Sequence, residues 1–342
     1  MNVLFIVRND AGVKSGGDLI QSQYYKKVLE DEIDGLSVQY AHELSPKQLS
    51  SNNWDIIHAF NVERLLDYSK YITTNISAYK ILSPILHPGY KPNVTNKIKT
   101  YIRAVLSKQP LPKLTHSISN TLEIFDFFTF LSTSEQEYFQ NTFHRMKIES
   151  MVVINAVDQR LITDREFRDK DNELLIVGRI ESRKNIISTI NIVNKHFSYA
   201  TLKIIGSKNK YQKAYFKQFQ KLLRESPNVE YLGVRTHEEV LEIMRKTKVL
   251  LTLSNAEVSP LVDLEALACG CKVLTTTQSW THLSSSKNVL FADPKNEIQV
   301  VNAVNMLLNN GFDYSVKEIV GWEEALAGLV GKYKSLQSQI KR

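Results

Sequence analysis

The stretch that decides the fold of this chain covers residues 252–277 and reads TLSNAEVSPLVDLEALACGCKVLTTT. An apolar, strand-like run at residues 249–253 leads into it. A helical pattern follows, and then come Gly270 and a second apolar run. Glycine in this position is typical of a helix C-terminus. The stretch therefore predicts a β-strand, an α-helix and a second β-strand, which together form the repeating unit of a parallel sheet.

Two glutamates flank the start of the predicted helix. Glu257 precedes it, Glu265 lies two turns inside it, and seven residues separate the two. Both side chains can then face one cleft at the carboxyl edge of the sheet, where open α/β sheets bind ligands. The backbone amides of Ser259 and Leu261, on either side of Pro260, would lie at the positive end of the helix. That position suits a phosphate or a sugar hydroxyl.

This stretch resembles the E-x7-E motif of retaining GT-B glycosyltransferases, in particular those of family four. The matching residues are Glu257, Glu265 and Gly270. The sequence departs from the family pattern at residues 259–260, where Ser-Pro replaces an aromatic residue or proline followed by glycine. It departs again at Lys272, where proline is usual. The resemblance implies a metal-independent enzyme that uses a UDP-, GDP- or other nucleotide-sugar donor and needs no further cofactor.

A second match lies at residues 174–185, where LLIVGRIESRKN resembles the family's V-G-R-x-x-x-x-K-[GN] segment. A strand is predicted to end at Gly178, with Arg179 and Lys184 in the loop and helix start that follow. Arginine offers a fork of donors to phosphate, and lysine adds a point charge. The resemblance implies that both cations hold the donor diphosphate and stabilise it as it leaves. Without this context, the two cations would be ordinary surface charges.

The resemblance assigns further donor contacts. Gly16 and Gly17 follow the first predicted strand, and there they would let the backbone approach the donor sugar and diphosphate. The alternative for these glycines is a flexible turn. Val234 and Arg235 follow a later strand and would meet the nucleotide base through their backbone. Glu265 would accept hydrogen bonds from the ribose hydroxyls.

Histidines occur in or after two predicted strands of the first half. His87 follows the strand of residues 78–86, and the resemblance implies that it faces the donor sugar. His58 lies in the segment WDIIHAF and is either a functional residue or a hydrogen-bonded histidine at a strand end. Glu257 would orient the sugar through its hydroxyls, and the leaving diphosphate oxygen would take the acceptor's proton. The expected catalytic residues are Glu257, Lys184, Arg179 and His87.

Between residues 68 and 122, every charged residue is a lysine or an arginine. Residues 95–106 fit an amphipathic helix. Two interpretations are open. The segment contacts an anionic membrane surface through residues 91–113, or it is a solvated face on an insertion near the acceptor. Both place it close to a carbohydrate or lipid-linked acceptor, and the first implies a peripheral position on the inner face of the cell membrane.

Composition supports a globular protein with two domains. The chain has 342 residues, of which 43% are hydrophobic, and this is enough for two cores. No stretch approaches the ~20 apolar residues of a membrane span, and the start fits a first strand better than a signal peptide. The cysteines, Cys269 and Cys271, are too close for an ordinary disulfide and fit a reducing, cytoplasmic compartment. The net charge of +7 favours anionic partners.

These features together predict an α/β protein of GT-B type, in which two Rossmann-like domains with parallel sheets face a central cleft. We expect an acceptor-binding domain over residues 1–165, a nucleotide-sugar domain over 170–320, and a final helix over 321–342 that crosses back to the first domain. The expected activity is retaining glycosyl transfer, of hexosyltransferase type, in surface polysaccharide or glycolipid assembly. Two rivals stay open: a nucleotide-sugar epimerase or hydrolase, and a catalytically silent binding subunit of a polysaccharide-assembly complex. No nucleic-acid-binding module accompanies the positive charge.

Overall fold

The structure is a computed structural model that describes residues 1–8, 11, 16–51, 53–63, 65, 72, 77–90, 118–144, 148–163, 171–313 and 319–340. The chain divides into two units. Unit 1 combines Met1–Asn155 with Trp322–Arg342, and unit 2 is Ala156–Gly321. The basic segment at 91–113 and the helix predicted at 95–106 lie outside the described residues.

Unit 1 is built around a parallel sheet. Among the described residues its strand order is β2-β1-β3-β4-β5-β6. Its inner strands are buried along almost their whole length, as expected when helices cover both faces of a sheet. The strands are β1 (Asn2–Ile6), β2 (Ser37–Tyr40), β3 (Ile56–Phe60), β4 (Tyr79–Ser83), β5 (Phe127–Phe130) and β6 (Ser150–Val152). The helices that precede unit 2 are α1 (Gly17–Glu32), α2 (Pro46–Ser51), α3 (Ile118–Leu122) and α4 (Thr133–Phe143).

Unit 2 contains a second parallel sheet, in the order β12-β11-β10-β7-β8-β9. Leu174 belongs to one apolar cluster and its neighbour Leu175 to another, because successive side chains of a strand point to opposite, covered faces. The strands are β7 (Asp171–Val177), β8 (Thr201–Ile205), β9 (Val229–Gly233), β10 (Thr247–Thr252), β11 (Lys272–Thr276) and β12 (Val289–Ala292). The helices are α5 (Arg160–Thr163), α6 (Ile186–His196), α7 (Lys213–Arg224), α8 (His237–Lys246), α9 (Leu261–Ala268) and α10 (Glu297–Asn309).

The last helix, α11 (Trp322–Ile340), packs on α1 and so returns to unit 1. The Trp322 ring stacks on Tyr24 with centroids 4.9 Å apart. Farther along the helix, the Tyr333 hydroxyl lies 2.9 Å from Nδ1 of His58 in β3. Although α11 has 19 residues, no helix in the described part of the chain is both long and apolar enough to cross a membrane.

The division between the units falls earlier than the expected end of the first domain at residue 165. Val157 pairs with Gly321, and Leu161 packs into an apolar cluster of unit 2. Residues 156–163 therefore belong with unit 2, because their apolar side chains are buried there.

Lys272 shows why a lysine can replace the proline that is usual in the resembled family. It is buried at the start of β11, where its ammonium donates hydrogen bonds to the carbonyls of Leu307 (2.5 Å) and Asn310 at the end of α10. These helix-end carbonyls have no partner within the helix itself, so the ammonium satisfies them. Nearby, Cys269 and Cys271 are both buried.

Gly206, at the end of β8, generates the first testable prediction. Its φ is +150°, and a Cβ there would lie 1.9 Å from the carbonyl oxygen of Gly178. Because a backbone atom cannot move aside, we expect Gly206→Ala to destabilise the protein by about 2–4 kcal/mol. Gly331→Ala in α11, which has open space around it, should instead stabilise by up to about 1 kcal/mol. Urea unfolding measures both, and wild-type stability of the first variant would contradict the packing at Gly206.

His58 is a buried, hydrogen-bonded histidine, as one interpretation of the sequence expected. Its Nδ1 contacts Tyr333 and its Nε2 lies 2.8 Å from the Ser83 hydroxyl. Burial lowers the pKa of His58 to about 3. Between that value and the ordinary 6.5, the unfolded chain therefore binds a proton that the folded protein does not.

The second prediction concerns this proton. The stability that neutral His58 contributes is complete above pH 6.5 and is lost as the pH falls towards 3. We expect His58→Gln to lower stability at pH 7 and to reduce the loss of stability between pH 6.5 and 4. Urea midpoints measured across this range test the expectation, with His144→Asn as a control at an exposed histidine. An unchanged slope in the His58 variant would show that His58 does not control this acid sensitivity.

Candidate functional site

The candidate site lies where the strand order of unit 2 reverses. β7 and β10 are neighbours in the sheet and run parallel, although β8 and β9 separate them in the chain. The chain therefore leaves both strands at the same edge, through the 178–185 loop after β7 and the 253–260 loop after β10. In doubly wound sheets this is the position at which ligands bind.

Hydrogen bonds join these two loops. The backbone N–H of Asn255 donates to the carbonyl of Arg183 at 2.8 Å, and the Arg183 guanidinium donates to the carbonyl of Ala256 at 2.9 Å. The backbone N–H of Glu257 in turn donates to the carbonyl of Gln278 at 2.8 Å. Hydrogen bonds thus link the 253–260 loop to the 178–185 loop on one side and to Gln278 on the other, and they position Glu257 without a ligand.

The central contact of the site is an ion pair between Lys184 and Glu257. Lys184 Nζ lies 2.6 Å from Glu257 Oε1, and Glu257 is only 7% exposed. Gly178, at φ +155°, lies under the lysine stem, and a Cβ there would approach Lys184 Cε to 3.2 Å. Burial alone would raise the pKa of Glu257, but Lys184 and Arg183 more than offset burial and hold this pKa below its usual value.

A second buried carboxylate, Glu181, lies between two arginines. Its Oε1 is 3.5 Å from Arg179 Nη2 and 3.4 Å from Arg183 Nη2, and its Oε2 accepts a hydrogen bond from Asn209 at 2.7 Å. The Arg179 side chain is 43% exposed. Together with Lys184, three cations therefore surround two carboxylates. The excess of positive charge at this sheet edge suits an anionic ligand.

Glu265, the second glutamate of the motif, lies on α9 and pairs with a histidine. Its Oε1 is 2.8 Å from Nε2 of His237, the first residue of α8. This hydrogen bond is the main cause that raises the pKa of His237. Val234 and Arg235 precede α8 in an exposed loop, where the Arg235 side chain donates to the carbonyl of Val234 at 3.1 Å.

The residues between the two glutamates form the start of α9. Ser259 and Pro260 are buried, Pro260 precedes the first turn, and Leu261 is the first helical residue. Below them, Asp263 is fully buried and accepts a hydrogen bond from the Thr252 hydroxyl at 2.6 Å. Burial raises the pKa of Asp263 to about 7.

Three predicted site residues belong to unit 1. His87 Nε2 lies 2.9 Å from Glu63 Oε1. Gly16 precedes the first turn of α1, and a Cβ there would lie 2.7 Å from the guanidinium of Arg8, whereas Gly17 has open space around it. The roles of these residues towards a donor stay predictions.

Sequence reasoning did not identify several residues of the site. Glu181 and Arg183 stand at variable positions of the motif, so the family pattern, which specifies Arg179 and Lys184, gives no role to either of them. Asn209 lies in the loop after β8 and His237 at the start of α8, and both join the site only through tertiary contacts. A charge-rich RIESRK segment was the one available signal for Arg183.

The pair formed by His237 and Glu265 generates the third prediction. A raised pKa means that the stabilisation from protonated His237 is complete below pH 6.5 and is lost as the pH rises through the folded value. We expect Glu265→Gln to lower the pKa of His237 by more than Glu238→Gln does, because Glu238 acts only as a more distant charge. Proton NMR titration of the His237 ring measures both. Equal effects would show that the hydrogen bond does not dominate.

A family model matches part of the chain. Residues 158–318 match the family model Glycosyl transferases group 1, which covers nearly all of unit 2. No curated protein matches the sequence at a significant level.

Solved structures with a similar fold cover nearly the whole chain. Sucrose-phosphate synthase from Thermosynechococcus elongatus gives a TM-score of 0.72 at 14% identity, over 99% of this chain and 99% of that one. Anabaena HepE in complex with UDP and glucose gives 0.68 at 14% identity, over 100% and 98%. The lipopolysaccharide outer core galactosyltransferase WaaB in its apo form gives 0.60 at 14%, over 97% and 95%. These likenesses confirm the predicted GT-B type of α/β fold with two Rossmann-like domains.

Proposed function

We propose that this chain transfers a sugar, with retention, from a nucleotide-diphospho-sugar to an acceptor hydroxyl. The match of residues 158–318 to the family model Glycosyl transferases group 1 supports this proposal. The observation that carries this proposal is the Lys184–Glu257 ion pair at the switch point of unit 2. There, a cation suited to phosphate and a carboxylate suited to hydroxyls are held together.

The two cations of the motif have complementary roles in donor binding. Arg179 is nearly half exposed and can present its guanidinium fork to the diphosphate. The Lys184 side chain must move so that its ammonium contacts the diphosphate in place of Glu257. This exchange frees one oxygen of Glu257 to accept hydrogen bonds from hydroxyls of the donor sugar.

The nucleoside end of the donor is assigned to residues around α8 and α9. Glu265 accepts from the ribose hydroxyls, with His237 as its neighbour in the absence of ligand. The backbone of Val234 and Arg235 meets the base. The amides of Ser259 and Leu261 contribute donors near the diphosphate, at the positive end of α9.

Transfer then requires few further groups. The bond between the anomeric carbon and the diphosphate oxygen breaks, and the acceptor oxygen forms a new bond to that carbon on the same face. The acceptor's proton passes to the leaving diphosphate oxygen, so no separate base is needed. Arg179 and Lys184 stabilise the charge that develops on the diphosphate. His87 is proposed to face the donor sugar, with Gly16 and Gly17 near its diphosphate.

A thermal-shift screen with UDP-, GDP-, ADP- and TDP-sugars tests the donor, because a ligand that binds the native state stabilises it. HepE has been solved with UDP-glucose, so UDP-sugars are the first candidates. Incubation with the donor alone distinguishes the alternatives. Release of free nucleotide or of an epimer would indicate a hydrolase or an epimerase, and binding without turnover would indicate a binding subunit. Candidate acceptors are carbohydrates or lipid-linked sugars, a choice that rests on the basic segment of the sequence.

The fourth prediction removes each partner of the central ion pair. Lys184→Ala and Glu257→Ala should each lower turnover by at least about 10²–10³-fold, because each removes a charge that acts on the donor. Lys195→Ala and Glu297→Ala, which break a more exposed Lys–Glu pair of 2.8 Å, serve as matched controls and should keep wild-type turnover. Circular dichroism and melting temperature show whether each variant is folded. Wild-type turnover by either site variant would refute the assignment.

A further inference from the structure

Arg183 makes more contacts in the cation cluster than either cation of the motif. Its Nη1 donates to the carbonyl of Ala256 at 2.9 Å and lies 3.4 Å from Glu257 Oε2, while its Nη2 lies 3.4 Å from Glu181 Oε1. Lys184 contacts the other oxygen of the same carboxylate, Glu257 Oε1. Each oxygen of Glu257 therefore has its own cation.

The buried position of Glu257 makes this double pairing important. A buried carboxylate without a partner is strongly destabilising, because the low-dielectric surroundings do not replace its hydration. If Lys184 leaves Glu257 for a phosphate, one cation must remain. Arginine stays protonated at any relevant pH, and the hydrogen bond to Ala256 anchors Arg183 to the loop that carries Glu257.

We propose that Arg183 is a positioning residue, which keeps Glu257 in place as a carboxylate when Lys184 moves to the donor diphosphate. The inference rests on the proposed function and extends it. It divides the three cations by their contacts. Arg179 pairs with Glu181 and meets the ligand, Lys184 exchanges one partner for another, and Arg183 stays with both carboxylates.

A double-mutant cycle without any ligand tests this role. Lys184→Met reproduces the state in which the Lys184 ammonium has moved away from Glu257, and Arg183→Met removes the other cation that contacts Glu257. Each single variant keeps one cation on Glu257. In the double variant, Glu257 has neither cation. The unfolding equilibrium constant of this variant should therefore change by about tenfold more than the product of the two single-variant changes. Effects that simply add would overturn the proposal.

The pH dependence of the double variant gives a second readout. Without either cation, burial raises the pKa of Glu257 above 4.5, so the variant gains stability as the pH falls through that raised value. The wild type behaves in the opposite way, since its stabilisation from Glu257 is lost below pH 4.5. Asp263 and Ser254 also face Glu257. Because Lys184 lowers the pKa of Asp263, the reference for the double variant is the Lys184→Met single variant, in which Asp263 has lost the same cation.

Two further variants keep the test decisive if the double variant does not fold. Adding Glu257→Gln removes the unpaired charge and should restore folding. Arg183→Lys in the Lys184→Met background should recover most of the stability, because a cation is again present. If neither change improves on the double variant, Arg183 acts through packing alone, and the proposal fails.

Calorimetry with UDP extends the test to the diphosphate. We expect the wild type to bind UDP without proton exchange at Glu257. The Arg183→Met variant should take up a fraction of a proton when it binds UDP, which measurements in buffers of different ionisation enthalpy detect. As the pH rises from 6 to 8, its affinity for UDP should therefore fall about tenfold more than the affinity of the wild type does. Wild-type affinity and proton count in this variant would overturn the inference. If the wild type itself does not bind UDP, the proposal of a UDP donor fails, while the ligand-free cycle still decides the role of Arg183.

Discussion

The ion pair between Lys184 and Glu257 is the contact on which the candidate site depends. The two residues are 73 positions apart in the chain, and they meet because β7 and β10 are adjacent in the sheet of unit 2. Parallel pairing brings the carboxyl ends of both strands to one edge. The hydrogen bonds between the 178–185 and 253–260 loops then hold the backbone at the separation that the pair requires. A different strand order would place the two motifs at separate points along the sheet.

Charge balance gives this contact its chemical use. Two carboxylates, Glu181 and Glu257, are buried at the sheet edge, and Arg179, Arg183 and Lys184 surround them. Buried carboxylates of this kind are tolerated only when cations and hydrogen bonds replace the lost water. Because there are more cations than carboxylates, the cluster can offer positive charge to an anionic ligand and still keep each carboxylate paired. This arrangement agrees with the proposed binding of a diphosphate.

Buried polar side chains link the elements of unit 1 through hydrogen bonds. The Glu135 carboxylate, at the start of α4, accepts backbone hydrogen bonds from Leu86 (2.6 Å) and Leu131 (2.7 Å), which links the segments after β4 and β5. Burial raises the pKa of Glu135 to about 7. His58 similarly joins β3 to Tyr333 of the last helix. These contacts are internal to the unit, and they stabilise the sheet without any ligand.

Local pattern predicted the elements around the site and selected two residues that the fold brings together, although their roles towards a donor stay predictions. Apolar runs and a helix-ending Gly270 predicted β10, α9 and β11, and motif spacing identified Lys184 and Glu257, because both signals depend on neighbours in the chain. The local pattern did not predict the partners of Arg183 or His237, and it did not predict that the boundary between the units falls after Asn155. The contact of Arg183 with Glu257 spans more than seventy residues, so it exists only once strand order has brought two loops together. Tertiary pairing was needed for these features, since a side chain finds a distant partner through the fold and not through sequence spacing.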